Sequence, residues 1–341
     1  MSTSPQAIEA LRLVSDLQSR FVDGLEKVAS DAGRNATFVR TEWLRDSGTH
    51  GGGNRLSAPV GAIFNRASVN VSQIHYDDLP EKKLGSATAI STIIHPINPH
   101  APSVHIHISW TEMKEGTGYW RIMADLNPSI VHDEYRDAFK ECLHESAPLQ
   151  YEEAAAQGDR YFYIPALERH RGTTHFYLES YFTDDPSVDR ELAVTVGNAV
   201  IDRYLSILKK ALGDYPDFDE AARARQLAYH TLYLFQVLTL DRGTTSGLLV
   251  HDQNDLGIMG SLPSHVDRDL LASWRNRVQS PQDLLVQALV DTLPGGPIVE
   301  VTDDVKLALA GVVREHYQRH PEALALQASG NVVPPTVDNH R

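Results

Sequence analysis

Apolar and polar residues alternate with a period of two through much of the first half of the chain, which is the pattern of half-buried strands. Val69 and Val71 point to one face of the strand predicted over 68–75, and Asn70 and Ser72 point to the other. Successive strands lie too close in sequence for crossover helices, so the sheet should be mainly antiparallel. Strands are predicted at 36–43, 60–64, 68–75, 86–95, 103–110, 118–123 and 173–179.

A helical period replaces this alternation at the N-terminus and in the second half of the chain. Ser4 and Pro5 fit the N-cap and first turn of a long helix, which Gly33 ends. The apolar run 231–240, rich in aromatic and β-branched residues, is instead predicted as a strand. Further helices are predicted over 131–147, 186–212, 217–228, 264–276, 281–293 and 303–319.

No linker or internal repeat divides this pattern, so we expect one α+β domain with a large, mainly antiparallel sheet and helices packed on its faces. The domain should cover 1–320, and the segment 321–341, which contains Pro334 and Pro335, should be a flexible tail. The 341 residues are 42 % hydrophobic, an ordinary value for a globular protein. No apolar run reaches the about 18 residues of a membrane span, so no membrane insertion is expected.

Charge and cysteine content narrow the classes of function. The net charge of −14 argues against a nucleic-acid binder, because affinity for phosphates needs cations. It is compatible with an anionic small substrate if arginines are concentrated locally. The single cysteine, Cys142, excludes an intrachain disulfide and a thiolate metal cage, and it is expected in the core. The N-terminal residues lack the basic and apolar regions of a secretory signal, so the expected location is cytoplasmic.

The stretch 91–110 is the main candidate for chemistry because it contains four histidines. On the strand over 103–110, His105, His107 and Ser109 share one face. With His95 from the preceding strand, these imidazoles could ligate a metal. They could equally serve as an acid, a base or an anion site, or only form hydrogen bonds within the core. The sequence leaves these three hypotheses open.

Two further segments carry polar groups of interest. Asp241 and Arg242 follow the run 231–240, and they either face a cleft or form a local ion pair that caps the strand. The glycine run 51–53 lacks the Gly-Lys-Ser/Thr ending of a P-loop. It is predicted as a loop that approaches a ligand together with Arg55, or as a flexible connection between strands. A serine hydrolase has no support, since the G-x-S-x-G motif is absent.

Taken in order, these motifs resemble oxygen-dependent coproporphyrinogen III oxidases over roughly residues 36–265. The most specific match is the pattern HPxNPxxPxxH, which begins at His95 and ends at His105. The other matching segments are 51–55, 69–72, 91–94, 125–128, 241–244, 247–248 and 261–263.

The resemblance implies a large antiparallel sheet sandwiched between helices and a homodimer. It also implies the oxidative decarboxylation of two propionates of coproporphyrinogen III to vinyls, giving protoporphyrinogen IX in haem biosynthesis. O₂ is the co-substrate and no organic cofactor is needed. No metal is required, and His95 and His105 are the ligands if a divalent ion takes part. His105 is the proton donor, Asp241 gathers the pyrrole N–H groups, and Arg242 holds a propionate. Substrate contacts are expected from Ser91, His107, Ser109, Arg55, Asn70 and Asn98.

Two readings follow from departures from the family pattern. The family carries Asn-Val-Arg after the key histidine, whereas residues 107–109 here are His-Ile-Ser, and its glycine run before Asp125 is missing. In the first reading the chain is a divergent oxidase. In the second it is a paralogue on the same scaffold that acts on, or only binds, another tetrapyrrole or a smaller anionic molecule. In the first reading the carboxylate contacts are taken over by Arg55, Arg121, Arg242, His107 and His175.

Overall fold

The structure, a computed structural model, describes residues 2–116, 118–332 and 336–340. Its centre is an antiparallel sheet, as predicted. The strands, in chain order, are β1 (Val39–Leu44), β2 (Gly51–Ala58), β3 (Phe64–His75), β4 (Leu84–Pro96), β5 (Ser103–Met113), β6 (Tyr119–Asn127), β7 (Tyr163–Ile164), β8 (Arg169–His170), β9 (Thr174–Tyr181), β10 (His265–Asp267) and β11 (Ile298–Glu300). The seven-stranded sheet has the order β1-β2-β3-β4-β5-β6-β9, and β7–β8 and β10–β11 form two separate two-stranded sheets.

Helices cover both faces of the large sheet, which completes the predicted α+β architecture. They are α1 (Pro5–Asp31), α2 (Asp133–Ser146), α3 (Tyr151–Phe162), α4 (Pro186–Asp214), α5 (Glu220–Thr239), α6 (Arg242–Val250), α7 (Asp255–Ile258), α8 (Arg268–Ser273), α9 (Gln282–Thr292), α10 (Asp303–Arg319) and α11 (Thr336–Asn339). The start of α1 is as predicted, because the Ser4 side chain accepts the N–H of Ala7 and Pro5 lies in the first turn. None of the described helices is long and apolar enough to cross a membrane.

Two hydrophobic layers enclose the sheet. The aliphatic face, to which Val104, Ile106 and Ile108 belong, packs against α1 and α4. The second layer is built around α5, which contacts α6, α8 and α9. The polar face of the central strands therefore faces the second layer, and a cavity can form between the two.

The run 231–240 is not the predicted strand: residues 231–239 form the last turns of helix α5, and Leu240 is its C-cap. Every residue from Tyr229 to Thr239 is buried. A helix enclosed on all sides needs no polar stripe, so its sequence reads as a continuous apolar run. Periodicity alone cannot distinguish such a helix from a buried strand.

The glycine run 51–53 is also not a loop, because it begins strand β2 between β1 and β3. A side chain at Gly53 would place its Cβ 2.3 Å from the carbonyl oxygen of Val71. Glycine is therefore required by the close approach of neighbouring backbone, and neither interpretation of the run as a loop is correct. The predicted strand 60–64 overlaps β3 only at Phe64, and the predicted helix 264–276 begins with β10.

The segment after residue 320 packs against the second layer, in contrast to the flexible tail expected from the sequence. Ala323 is fully buried. The side-chain amide of Gln327 donates to the hydroxyl of Tyr317 at 3.1 Å, and the Ala328 N–H donates to the carbonyl of Leu240 at 3.0 Å. Pro334 and Pro335, which belong to the same prediction, lie outside the described residues.

Buried histidines should make the stability of the protein fall in acid. Burial lowers the pKa of His230 and of His251 to about 3, from about 6.5 in an unfolded chain. The unfolded chain therefore binds more protons than the folded protein below pH 6.5. The stability contributed by the neutral imidazoles is complete above pH 6.5 and is lost as the pH falls towards 3. Melting temperatures measured from pH 7 to pH 4 should decline.

His230→Gln should reduce this decline, because one buried titrating group is removed. The matched control is His144→Gln, since His144 is exposed at the surface of α2. It should keep the pH dependence of the wild type. If the melting temperatures of both variants declined equally with falling pH, His230 would not be a source of the acid sensitivity.

Candidate active site

A cavity of about 300 Å³ lies between the polar face of the sheet and helices α5, α6 and α7. The sheet forms its floor through a row of directly paired positions that crosses five strands. Because opposite residues on neighbouring strands point to the same face, this register gathers their side chains towards the cavity. The row consists of Asn70, Ser91, His107, Met123 and Tyr177.

Most of the predicted site residues line this cavity. The stretch that follows β4 turns back as β5, which brings His105, His107 and Ser109 beside Ser91 on one face, as the alternation indicated. The residues of the sequence prediction that the cavity brings together are Asn70, Ser91, His105, His107, Ser109, Asp241 and Arg242. Arg121 of the divergent-oxidase reading lines it as well.

Arg55 and Asn98 lie elsewhere, although both belong to matching motifs. Arg55 donates from Nη1 to the carbonyl of Leu256 at 2.6 Å, so it supports the segment around α7. Asn98 donates from Nδ2 to the carbonyl of Tyr215 at 2.6 Å, so it fixes the turn between β4 and β5. His175 is also outside the cavity lining. In the described structure these side chains have structural partners, and the prediction that they contact substrate has no geometric support.

His95 lies on the polar face of β4 but is completely enclosed. Its Nδ1 is 2.8 Å from Oγ of Ser103 and its Nε2 is 3.2 Å from the carbonyl oxygen of Ser261. Burial, followed by the nearby His230, holds the pKa of His95 well below its ordinary value. Both ring nitrogens are thus engaged in hydrogen bonds within the protein.

This donor set does not fit a metal shared by His95 and His105. His105 also uses one ring nitrogen for a protein contact, at Asp125. Across residues 2–116, 118–332 and 336–340, no three histidine, cysteine, aspartate or glutamate side chains form a metal-holding group.

His105 is oriented by a buried ion pair. Its Nδ1 is 3.0 Å from Oδ1 of Asp125, whose Oδ2 accepts a hydrogen bond from Nη2 of Arg171 at 2.7 Å. Arg171 is held in turn by Oε1 of Gln236 at 2.6 Å. Burial alone would raise the pKa of Asp125, but the charge of Arg171 and the hydrogen bonds from His105 and Asn127 outweigh it, so the pKa lies well below the ordinary value.

The ionised state of Asp125 decides the tautomer of His105. A carboxylate can only accept, so Nδ1 of His105 carries the hydrogen and donates it. In the neutral ring, Nε2 is then the acceptor nitrogen. Nε2 has no hydrogen-bond partner among the described residues, and the ring lines the cavity. His105 can therefore take a proton from a bound molecule or, as imidazolium stabilised by Asp125, serve as the proton donor that the resemblance implies.

Asp241 presents a partly free carboxylate at the opposite side of the cavity. It is the N-cap of α6, where Oδ2 accepts the N–H of Thr244 at 2.7 Å. Oδ1 accepts the hydroxyl of Tyr161 at 2.9 Å, and burial together with Asp241 holds the pKa of Tyr161 well above its ordinary value. A carboxylate has about four lone-pair sites, so about two remain for N–H donors of a ligand.

Arg242 is engaged within the protein and does not pair with Asp241. Its Nη1 is 3.3 Å from Oε1 of Glu179, and its Nη2 donates to the carbonyl of Ala328. Glu179 also accepts the hydroxyl of Tyr177 at 2.8 Å. The predicted alternative of a local Asp241–Arg242 pair is therefore wrong, since Asp241 caps a helix and Arg242 joins β9 to the C-terminal segment.

Four side chains of the site received no role from the sequence. Asp125 pairs in register with His105, and a charged residue inside an apolar strand is the signal that could have marked it. Tyr161 comes from α3, a helix that the sequence analysis did not predict. Arg171 precedes β9 and Glu179 lies within it, but their partners come from distant segments, which sequence spacing cannot reveal.

Comparisons with known proteins agree with this architecture. The family model of coproporphyrinogen III oxidase matches residues 9–292. The mitochondrial oxygen-dependent coproporphyrinogen-III oxidase of Rattus norvegicus is 28 % identical over 290 residues, which are 76 % of this chain and 62 % of that protein. The corresponding protein of Homo sapiens is 26 % identical over 294 residues, 77 % of this chain and 60 % of that protein. The chain thus matches about three-fifths of the length of these relatives. Because the family match covers most of its residues, this chain belongs to the coproporphyrinogen III oxidase family.

Proposed function

We propose that this chain catalyses the oxygen-dependent oxidative decarboxylation of coproporphyrinogen III propionates to vinyl groups, giving protoporphyrinogen IX. Family membership supports a tetrapyrrole substrate. The observation that carries the proposal is the carboxylate of Asp241, which lines the cavity and keeps acceptor capacity beside its contacts to Thr244 and Tyr161. A porphyrinogen directs its pyrrole N–H groups inwards, so a single carboxylate can accept more than one of them.

The chemistry balances with O₂ as the only co-substrate. Each propionate loses CO₂ from its outer methylene carbon and a hydride equivalent from the methylene carbon attached to the pyrrole ring, and a double bond forms between these two carbons. The two electrons reduce O₂, which takes up two protons and leaves as hydrogen peroxide. No organic cofactor and no metal are part of this proposal.

His105 supplies the proton transfer in this scheme. Its Nε2 takes the proton that a pyrrole N–H loses as the ring becomes electron-rich enough to react with O₂. Asp125, kept ionised by Arg171, stabilises the imidazolium without itself taking the proton. The proton then passes to the reduced oxygen species.

A second candidate is a paralogue that acts on, or only binds, another tetrapyrrole or a smaller anionic molecule. The specific observation in its favour is Arg242, which the resemblance assigns to a propionate but which contacts Glu179 and the carbonyl of Ala328 here. Ser109 also stands where the family carries arginine. The cavity therefore offers fewer free cations than a tetracarboxylate could use.

The experiment that tests the first proposal is incubation of purified protein with coproporphyrinogen III in air and under argon. Protoporphyrin fluorescence after chemical oxidation should appear only in air, with one hydrogen peroxide per vinyl formed. We expect protein treated with a chelator and checked by elemental analysis to keep its rate, because the described residues contain no group of three or more potential metal ligands. Tight porphyrin binding without turnover would instead support the second candidate.

Family membership also supports a proposal on assembly, namely that the chain forms a homodimer. Light scattering at several protein concentrations measures this directly, and a mass of one chain throughout would contradict it. The cytoplasmic location expected from the sequence stays a prediction, since the two relatives carry the description mitochondrial.

A further inference from the structure

Arg121 of β6 lines the cavity without a counter-ion. Its Nε is buried and has no hydrogen-bond partner. Among the described residues, no aspartate or glutamate oxygen lies within 4.0 Å of its guanidinium nitrogens. Arg121 is half-buried, and its guanidinium faces the cavity without a direct acidic partner, so an anionic group of a ligand can bind there.

The other arginines of the cavity lining already have acidic partners. Arg171 pairs with Asp125, and Arg242 pairs with Glu179. Glu179, the acidic residue with the strongest influence on Arg121, also accepts the hydroxyl of Tyr177 and the N–H of Gly330. Arg121 is thus the arginine of the described cavity lining whose guanidinium remains available to a ligand.

The environment keeps Arg121 charged. Burial alone would lower the pKa of its guanidinium, but Tyr177 and Glu179 more than offset this effect and raise it. The charge of Arg121 also affects the neighbouring imidazole of His107. Burial and the charge of Arg121 hold the pKa of His107 well below its ordinary value, so His107 is neutral and adds no second positive charge.

Arg121 is placed so that it can replace the arginine that the family carries and this chain lacks. Ser109 of β5, where the family carries arginine, lies directly opposite Arg121 in the β5–β6 register. The Cβ atoms of such opposite residues are about 5 Å apart and point to the same face. A guanidinium on β6 can therefore reach the part of the cavity that one at residue 109 would reach.

We propose that Arg121 binds a carboxylate of the substrate, so that the anion-holding arginine has moved by one strand, from β5 to β6. The planar guanidinium offers parallel N–H donors that match the two carboxylate oxygens. The unpaired arginine itself implies an anionic group on the ligand, and a carboxylate matches its planar fork. Its identity as a propionate of a tetrapyrrole rests on the proposed function.

Binding of coproporphyrin III, the oxidised form that cannot turn over, tests this assignment by fluorescence titration. Arg121→Gln should bind it about 10- to 100-fold more weakly, which is the effect of losing a charge-assisted pair. Its tetramethyl ester, which has no carboxylates, should bind wild type and variant equally. The matched control is Arg40→Gln, because Arg40 is exposed on β1 of the same sheet and should not affect binding.

Thermal melting separates a ligand-binding arginine from a structural one. Tyr177 and Glu179 favour the charged guanidinium but make no direct ion pair with it, so the melting temperature of Arg121→Gln should fall only slightly. Arg121→Met is a second variant for the same comparison. Unchanged affinity for coproporphyrin III, or a loss of affinity that merely accompanies a large drop in melting temperature in both variants, would overturn the proposal.

The two proposals fail differently. If wild-type protein oxidises coproporphyrinogen III and Arg121→Gln changes neither KM nor porphyrin affinity, the function stands and the role of Arg121 is wrong. If wild-type protein has no turnover but binds coproporphyrin III in an Arg121-dependent way, the carboxylate site stands and the proposed reaction is wrong.

Discussion

Asp241→Asn should lower kcat/KM for coproporphyrinogen III by at least about 100-fold while the protein remains folded. Asparagine is as good an N-cap as aspartate, so the N–H of Thr244 keeps its acceptor and α6 keeps its start. The substitution removes the negative charge and the second acceptor oxygen. Hydrogen bonds to charged groups contribute about 1.5–3 kcal/mol each, so the loss of two substrate N–H contacts accounts for this factor.

The matched control is Asp219→Asn at the N-cap of α5. Asp219 accepts the N–H of Ala222 at 2.8 Å and does not line the cavity. Steady-state kinetics and thermal melting of both variants should give similar melting temperatures and very different rates. Retention of wild-type kcat/KM by Asp241→Asn would remove Asp241 from the substrate site.

Asp125→Asn should reduce both stability and turnover. Arg171 is fully buried beside this carboxylate, and removal of one partner of a buried ion pair costs about 3–5 kcal/mol. The amide also no longer fixes the tautomer of His105, so turnover of the folded protein should fall by about 10²–10⁴. Urea unfolding at pH 7 measures the first effect, and single-turnover rates corrected for the folded fraction measure the second.

Unfolding at low pH tests whether the stability lost in Asp125→Asn comes from the ionised carboxylate. The pKa of Asp125 lies below its unfolded value, so its contribution to stability is present above about pH 4 and is lost as the pH falls further. The stability difference between wild type and Asp125→Asn should therefore narrow below pH 4. A difference that stays constant with pH would mean that the loss does not come from the ionised carboxylate.

Asp202→Asn provides the comparison at the surface. Asp202 pairs with Arg20 at 2.6 Å, with both side chains about half exposed. Exposed ion pairs contribute less than about 1 kcal/mol, and this one is remote from the cavity. Its loss should change neither the turnover nor the unfolding midpoint appreciably.

The sheet could be predicted from the sequence because its physical causes are local. Strict alternation marks a strand with one apolar and one polar face, and short connections force antiparallel pairing. The prediction failed at residues 231–240 because α5 is enclosed between the sheet and the outer helices. Enclosure on all sides removes the polar stripe that distinguishes a helix in sequence, so only the tertiary arrangement reveals this element.

The site residues were likewise predictable only where their placement depends on local sequence. His105, His107 and Ser109 were placed together correctly because one strand carries them with a period of two. Tyr161 and Arg171 could not be placed, because they reach the cavity from an unpredicted helix and a turn far along the chain. Arg55 illustrates the reverse error, since membership of a motif does not fix the direction in which a long side chain points.

Because a row of paired positions forms the cavity floor, the chain should tolerate insertions and deletions much less well in some segments than in others. Losing or gaining one residue within β4 or β5 would exchange the two faces of that strand beyond the change. Ile106 would then face the cavity and His107 the aliphatic core, so the same event would damage packing and chemistry together. Length variation among descendants of this sequence should therefore be confined to connections such as 59–63 and 76–83, whereas substitutions can exchange side chains between neighbouring strands without disturbing the pairing.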